Sequence, residues 1–121
     1  MALVNMILVV LVALEFFFIF YLETIATTSK KTSETFGMDI SELKRDSVST
    51  LFKNQGVYNA LLGVLLLVFL FGLHSQAAVV SVLVYILCVA AYGAATSNPK
   101  ILLKQGCLAA VALILILVFG L

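Results

Sequence analysis

The sequence is short of charged residues, and this shortage excludes whole classes of function. Only 11% of the 121 residues are Asp, Glu, Lys or Arg, and the net charge at pH 7 is +1. Such a chain has no basic face that could hold the phosphates of a nucleic acid, and it has no acidic tail. We therefore expect no nucleic acid among its partners.

Cysteine and histidine are also scarce. Cys88 and Cys107 lie inside apolar runs, without CxxC spacing or a neighbouring His, which indicates packing residues rather than redox or zinc chemistry. His74 is the one histidine, and it stands in a short polar turn. No HExxH motif, GxSxG motif or paired His is present. The sequence thus indicates no catalytic residues, no cofactor and no metal site.

Hydrophobic residues, in contrast, make up 64% of the chain, and the mean hydropathy is +1.22. A soluble domain cannot bury so much apolar surface. Four apolar runs are each long enough to cross a bilayer, which takes about 20 helical residues. We predict an all-α fold: a polytopic membrane protein with one four-transmembrane-helix domain over residues 1–121. Its helices are predicted at about 3–23, 55–73, 77–96 and 101–121.

The basic residues are confined to one side of this predicted bundle. Every Lys and Arg lies in, or within a turn of, the first connection (24–53) or the third connection, before the fourth helix. Because basic residues favour the cytoplasmic side of a membrane, both connections are predicted to lie in the cytoplasm. The two chain ends and the His74 turn then lie outside a cell membrane that the chain crosses several times.

The first connection is predicted to contain an amphipathic cytoplasmic helix. Asp39 and Glu42 have the spacing of a capping box, and Ile40, Leu43 and Leu51 recur at helical spacing after it. Such a helix fits the inner membrane surface. Two interpretations stay open: a lid that packs over the bundle, or a contact for lipids or a partner protein.

Glu15 is the most informative single residue, because it interrupts the first apolar run near its middle. Insertion scales assign about 2.5–3.5 kcal/mol to an acidic group at the centre of a membrane. Either this carboxyl is protonated, or it faces polar partners or a wet cavity inside the bundle. The functional interpretation is a site for a proton or cation. The structural interpretation is a neutral carboxyl bonded to neighbouring helices.

Further polar residues lie toward the cytoplasmic ends of the helices. Glu23 belongs near the inner end of the same broad face as Glu15, where it could instead contact headgroups or Lys30 and Lys31. The predicted proton- or ligand-binding residues are Glu15, Glu23, Gln55, Tyr58, Asn59, Tyr92, Thr96 and Gln105. We expect them to line one cavity that opens to the cytoplasm, with Glu15 at its floor. The alternative is a closed hydrogen-bond network that only fixes helix register.

The chain resembles a known family of small bacterial four-helix membrane proteins, catalogued as domain of unknown function 1304. The residues that carry the resemblance are the blocks at 11–15, 21–23, 36–37, 54–59, 92–96 and 101–106, above all Asn-Gln-Gly-Val-Tyr-Asn at 54–59. The family typically has His directly after the first glutamate, whereas this chain has Phe16. The resemblance therefore implies the four-helix topology and the polar positions, but it implies no activity.

Two functions fit these observations. The first is a proton-coupled transporter or exporter of small molecules, in which Glu15 binds a proton and a substrate in turn. The second is a non-catalytic membrane component that packs with partner subunits or with lipids. An enzyme is the least supported class, because no catalytic motif is present. Beyond the lipid bilayer, the expected partners are a proton or small-molecule substrate and a second copy of the chain in a homodimer.

Overall fold

The structure is a computed structural model that describes residues 2–97, 99–100 and 105–121. Every regular element within these ranges is helical. The elements are α1 (Ala2–Phe20) with a π-helical turn (Tyr21–Ile25), α2 (Lys30–Phe36), α3 (Ile40–Leu43), α4 (Asp46–Leu67) with a second π-helical turn (Val68–Gly72), α5 (Gln76–Thr96) and α6 (Cys107–Phe119). The all-helical prediction is thus confirmed for the described residues.

Three helical segments are long and apolar enough to cross a membrane: Leu3–Ile25, Asp46–Gly72 and Gln76–Thr96. They correspond to the first three predicted spans. Helix α6 is apolar but shorter, with 13 residues. The predicted start of the fourth span, residues 101–104, lies outside the described residues, so four spans stay a prediction.

Helix α1 lies at the centre of the bundle. It packs along α4 and along α6, while α5 packs against α6 and against the π-helical end of α4. Aliphatic side chains from these four helices form the core, among them the fully buried Val12, Leu66 and Leu83. Ala109 and Ala112 of α6 are fully buried as well.

Helices α1 and α4 approach each other closely at Gly63. A Cβ atom at this position would lie 2.8 Å from Cε1 of Phe17 and 3.1 Å from the carbonyl oxygen of Ala13. Only glycine leaves room for these contacts without a shift of α1. Gly63 of α4 is therefore buried against α1.

The first connection differs from the prediction. The capping box does not form, because the Asp39 side chain makes no cap hydrogen bond, and α3 is a single turn. The backbone of Arg45 is extended (φ −66°, ψ 135°), so the helix stops there and α4 begins at Asp46 rather than at about 55. The predicted amphipathic helix is thus divided: Leu43 belongs to α3, and Leu51 belongs to the first turns of α4.

The two cysteines correct a second expectation. Cys88 and Cys107 are free thiols and both are exposed on the helix surface, so they do not pack in the core. An apolar run predicts a helix but not which of its sides faces the other helices. That choice depends on how α5 and α6 rotate to bury their alanine and isoleucine positions.

Candidate functional site: two acids and two cavities

Glu23 is a fully buried acid at the end of the first span. Its carboxyl oxygen Oε1 accepts a hydrogen bond of 2.6 Å from Nδ2 of Asn59. The other oxygen, Oε2, is buried and has no hydrogen-bond partner among the described residues. Because an unsatisfied buried polar atom is costly, such an atom marks a place where a proton, a water molecule or a ligand can bind.

A glycine lets α4 approach this acid. Gly56 lies one turn before Asn59, and a Cβ atom at Gly56 would clash with the Thr24 hydroxyl and lie 3.1 Å from Cβ of Glu23. The Thr24 hydroxyl donates a hydrogen bond of 2.9 Å to the carbonyl oxygen of Lys53. The start of the second predicted span therefore packs directly against the end of the first span, at Glu23 and Thr24.

Hydroxyl groups also hold the backbone on either side of Glu23. The Thr27 hydroxyl donates to the Glu23 carbonyl oxygen at 2.7 Å. The hydroxyl oxygen of Thr32, in α2, lies 2.9 Å from the Leu22 carbonyl oxygen and 2.7 Å from that of Ala26. These bonds satisfy carbonyl groups that a helix end otherwise leaves unpaired. They also fix the π-helical turn that carries Glu23, and such turns are frequent at functional sites.

Glu15 borders a different cavity, of about 270 Å³, which we call the first cavity. Its wall is formed by one face of α1, by Lys31, Thr35 and Phe36 of α2, and by Gln105. The Oε1 atom of Glu15 is buried and has no hydrogen-bond partner among the described residues. A carboxyl group that lines an open cavity, with one oxygen shielded from solvent, can exchange a proton or bind a cationic group.

The second cavity, of about 310 Å³, lies between α1, α4, α5 and the residues before α6. Three side-chain amides line it, those of Gln55, Asn59 and Gln105. Asn59 is also the hydrogen-bond partner of Glu23, so this acid stands directly behind the cavity wall. Gln105 lines both cavities and therefore separates them.

Aromatic rings complete the second cavity: Phe16, Tyr58 and Tyr85. Phe16, at the position where the family typically has His, is thus part of this wall, and its side chain is buried. Tyr58 and Tyr85, together with Leu62, also line a largely apolar groove of about 560 Å³ on the outer side of α4. The cavity and the groove consequently meet at a shared border.

The structure groups the predicted site residues differently from the sequence. Glu15 shares a cavity with Gln105, whereas Gln55, Tyr58 and Asn59 line the other cavity. The single cavity with Glu15 at its floor is therefore replaced by two cavities. Tyr92 and Thr96 line neither of them: both are exposed on α5, where the Thr96 hydroxyl donates to the Tyr92 carbonyl oxygen.

Sequence reasoning missed the contribution of α2 to the first cavity. This helix begins after Ser29, whose hydroxyl accepts a hydrogen bond from the backbone N–H of Thr32, and it ends at Gly37 with φ 66°. An N-cap serine and a C-terminal glycine are standard helix signals, and they would have predicted the helix that brings Lys31 into the same cavity as Glu15.

Among the described residues, no three His, Cys, Asp or Glu side chains could together hold a metal ion.

Comparison with known proteins agrees with the resemblance noted above. The model of the family described as "Protein of unknown function (DUF1304)" matches residues 10–117. The chain is 55% identical over 115 residues to the "Uncharacterized protein YpaA" of Lactococcus lactis subsp. lactis (strain IL1403), covering 94% of this chain and 97% of that protein. No solved structure is significantly similar to the chain. The matched range includes both acids and the lining of both cavities.

Proposed function

The chain belongs to the DUF1304 family, and we propose that it is a small proton-coupled membrane transporter or exporter in which Glu15 exchanges a proton for a substrate. The protein spans the cell membrane with the connection between α1 and α4 in the cytoplasm. This orientation follows from the basic residues, which lie at that end of the bundle. Glu15 and both cavities then open from the inner half of the membrane.

One observation carries the proposal: Glu15 lines an open cavity, and one of its carboxyl oxygens is buried with no hydrogen-bond partner among the described residues. A carboxyl that only stabilised the bundle would be expected to bond a neighbouring helix, because an unpaired buried oxygen costs about 1–3 kcal/mol. Lys31 lines the same cavity on α2. A cationic group is thus available to compensate the carboxylate when its proton leaves.

The test is proton release from the purified protein. Small organic cations, anions and neutral compounds are added in turn to the protein in weakly buffered non-ionic detergent with a pH indicator. Compounds that displace the proton of Glu15 will acidify the solution, and Glu15→Gln will abolish that release. Glu34→Gln is the matched control, because Glu34 is an exposed acid that pairs with Lys30 outside both cavities. Equal release from Glu15→Gln, or no release with any compound, would overturn the proposal.

A second candidate, a non-catalytic component that packs with partner subunits or lipids, is supported by one face of α5. Tyr85, Cys88, Tyr92 and Thr96 share this face, and all four are exposed. Such a face could pack against another protein in the membrane, including a second copy of the chain. Co-purification of a stoichiometric partner in mild detergent would favour this candidate, whereas a protein that purifies as a monomer would count against it.

A further inference from the structure

The walls of the second cavity have a consistent chemical character. Its polar groups are amides, Gln55, Asn59 and Gln105, and its rings are those of Phe16, Tyr58 and Tyr85. None of the described residues that line it is Lys or Arg. A cavity of this kind offers carbonyl oxygens and aromatic faces, which attract positive charge, and its described lining offers no cation to an anionic ligand.

Glu23 strengthens this preference. Asn59, which lines the cavity, donates an Nδ2 hydrogen to Glu23 Oε1, and its carbonyl oxygen makes no hydrogen bond to Glu23. The second oxygen of Glu23 is buried and has no hydrogen-bond partner within the part of the chain that the structure describes. When this acid is ionised, it attracts a cation in the cavity through the Asn59 amide.

The groove that adjoins the cavity adds a requirement for the rest of the ligand. Tyr58, Leu62 and Tyr85 line both spaces, and the remaining residues of the groove are aliphatic side chains of α4. A molecule whose charged head lies in the cavity can therefore place an apolar group in the groove. The groove runs along the outer side of the bundle, where lipid is expected, so an amphiphilic ligand can enter sideways from the membrane.

From this juxtaposition we infer that the second cavity binds a small organic cation that carries an apolar group, with its head held by Asn59, the tyrosine rings and Glu23. The inference rests on the proposed function in one respect: this cation would be the molecule that is transported. Glu15 would then give up its proton as the cation moves from the second cavity to the first, past Gln105, which borders both cavities.

The experiment is equilibrium binding by isothermal titration calorimetry in a non-ionic maltoside, with detergent-only titrations subtracted. The probes are hexyltrimethylammonium, hexanesulfonate, which has the same tail and the opposite charge, and tetramethylammonium, which lacks the tail. We expect hexyltrimethylammonium to bind roughly ten-fold or more tightly than either control, a ratio within the range of a desolvated cation–π contact. Equal binding of hexanesulfonate, or no binding of the cation, would refute the inference.

Variants locate the site. Tyr85→Leu should weaken binding of hexyltrimethylammonium roughly ten-fold, whereas Tyr85→Phe keeps the ring and should retain most of the affinity. Tyr92→Leu is the matched control, because Tyr92 is an exposed tyrosine on the same helix outside both cavities. Glu23→Gln should also weaken binding, and if that variant does not fold, the Tyr85 pair still decides. Unchanged affinity in Tyr85→Leu would place the cation elsewhere and refute the site.

The two proposals fail separately. Cation binding that persists without any proton release would defeat the transporter proposal and leave the cation site intact. Proton release by some other compound, combined with no cation binding, would defeat the cation site and leave the role of Glu15 intact.

Discussion

The two acids of the first span have different surroundings although they lie on one helix. Glu23 is fully buried and is held by Asn59, and the backbone around it is fixed by hydroxyl groups. Glu15 is only partly buried and faces a cavity that also contains Lys31. We therefore expect Glu23 to contribute to stability as well as to binding, and Glu15 to contribute chiefly to function.

Asn59→Ala tests the structural part of this division. The substitution leaves the buried Glu23 carboxyl without its hydrogen-bond donor, which is expected to cost about 1–3 kcal/mol of stability. The chain has no tryptophan, so the midpoint of thermal unfolding is best followed by circular dichroism in detergent. Asn54→Ala, at an exposed position of the same helix, should leave the midpoint unchanged. If both variants unfold at the temperature of the natural protein, the bond does not stabilise the fold.

Gly63→Ala tests the close contact of α1 and α4. The added methyl group would press on Phe17 and on the Ala13 carbonyl oxygen, and such overpacking typically costs about 1–3 kcal/mol. Gly72→Ala is the matched change, because its Cβ atom would meet only Val68 Cγ1, at an ordinary 3.7 Å. We expect a lower unfolding midpoint for Gly63→Ala and an unchanged or higher one for Gly72→Ala. The reverse order would disprove the packing described here.

At the scale of elements, α2 is attached to the end of α1 by a single buried residue. The Thr32 hydroxyl contacts the carbonyl group of Leu22 in the first span and that of Ala26 directly after it, and it is also 3.0 Å from the Ser29 hydroxyl. The ring of Phe36 packs edge-on against Phe52 of α4, with 5.3 Å between ring centroids. Helix α2 thus covers the first cavity and joins α1 to α4.

Thr32→Val should loosen this helix while preserving side-chain shape. The Leu22 and Ala26 carbonyl oxygens would lose their contact with the Thr32 hydroxyl, so α2 should detach more often. The Lys30 and Lys31 side chains are already exposed, and the freed backbone beside them should enter the active site of trypsin more readily. We expect faster cleavage at these lysines in detergent, measured by mass spectrometry. Thr28→Val is the control, because Thr28 is exposed. Equal cleavage rates in the two variants would show that Thr32 does not hold α2.

Local signals predicted some of these elements well and others poorly. The prediction for the third span, 77–96, agrees with α5 (Gln76–Thr96), because an apolar run with a polar turn before it is a property of the chain itself. The start of α4 was predicted too late, since its first two turns are polar and continue directly into the apolar run. The break at Arg45 depends on how α3 and α4 pack, and no residue there is a helix breaker.

For the whole molecule, the confinement of the basic residues to one end makes the orientation testable. We expect a cysteine introduced at Leu73 to react with a membrane-impermeant maleimide in intact cells, and one introduced at Glu34 to react only after the cells are permeabilised. Both are exposed positions, at opposite ends of the bundle. Cys88→Ala and Cys107→Ala are made first, because both thiols are exposed. The opposite labelling pattern would reverse the proposed topology.

The composition, the apolar runs and the positions of the basic residues along the chain were sufficient to predict a helical membrane protein with its basic residues at one end. This is because the free-energy cost of placing polar groups in lipid applies to each segment separately. The positions of single polar residues within apolar runs also led to the prediction of Glu15 and the amide side chains as site residues. Only the tertiary structure decided that Glu23 bonds Asn59, 36 positions away, and that the polar residues divide between two cavities. Those contacts depend on the rotation of each helix, on the π-helical turn at Glu23 and on the close approach at Gly56, which arise only when the helices pack together.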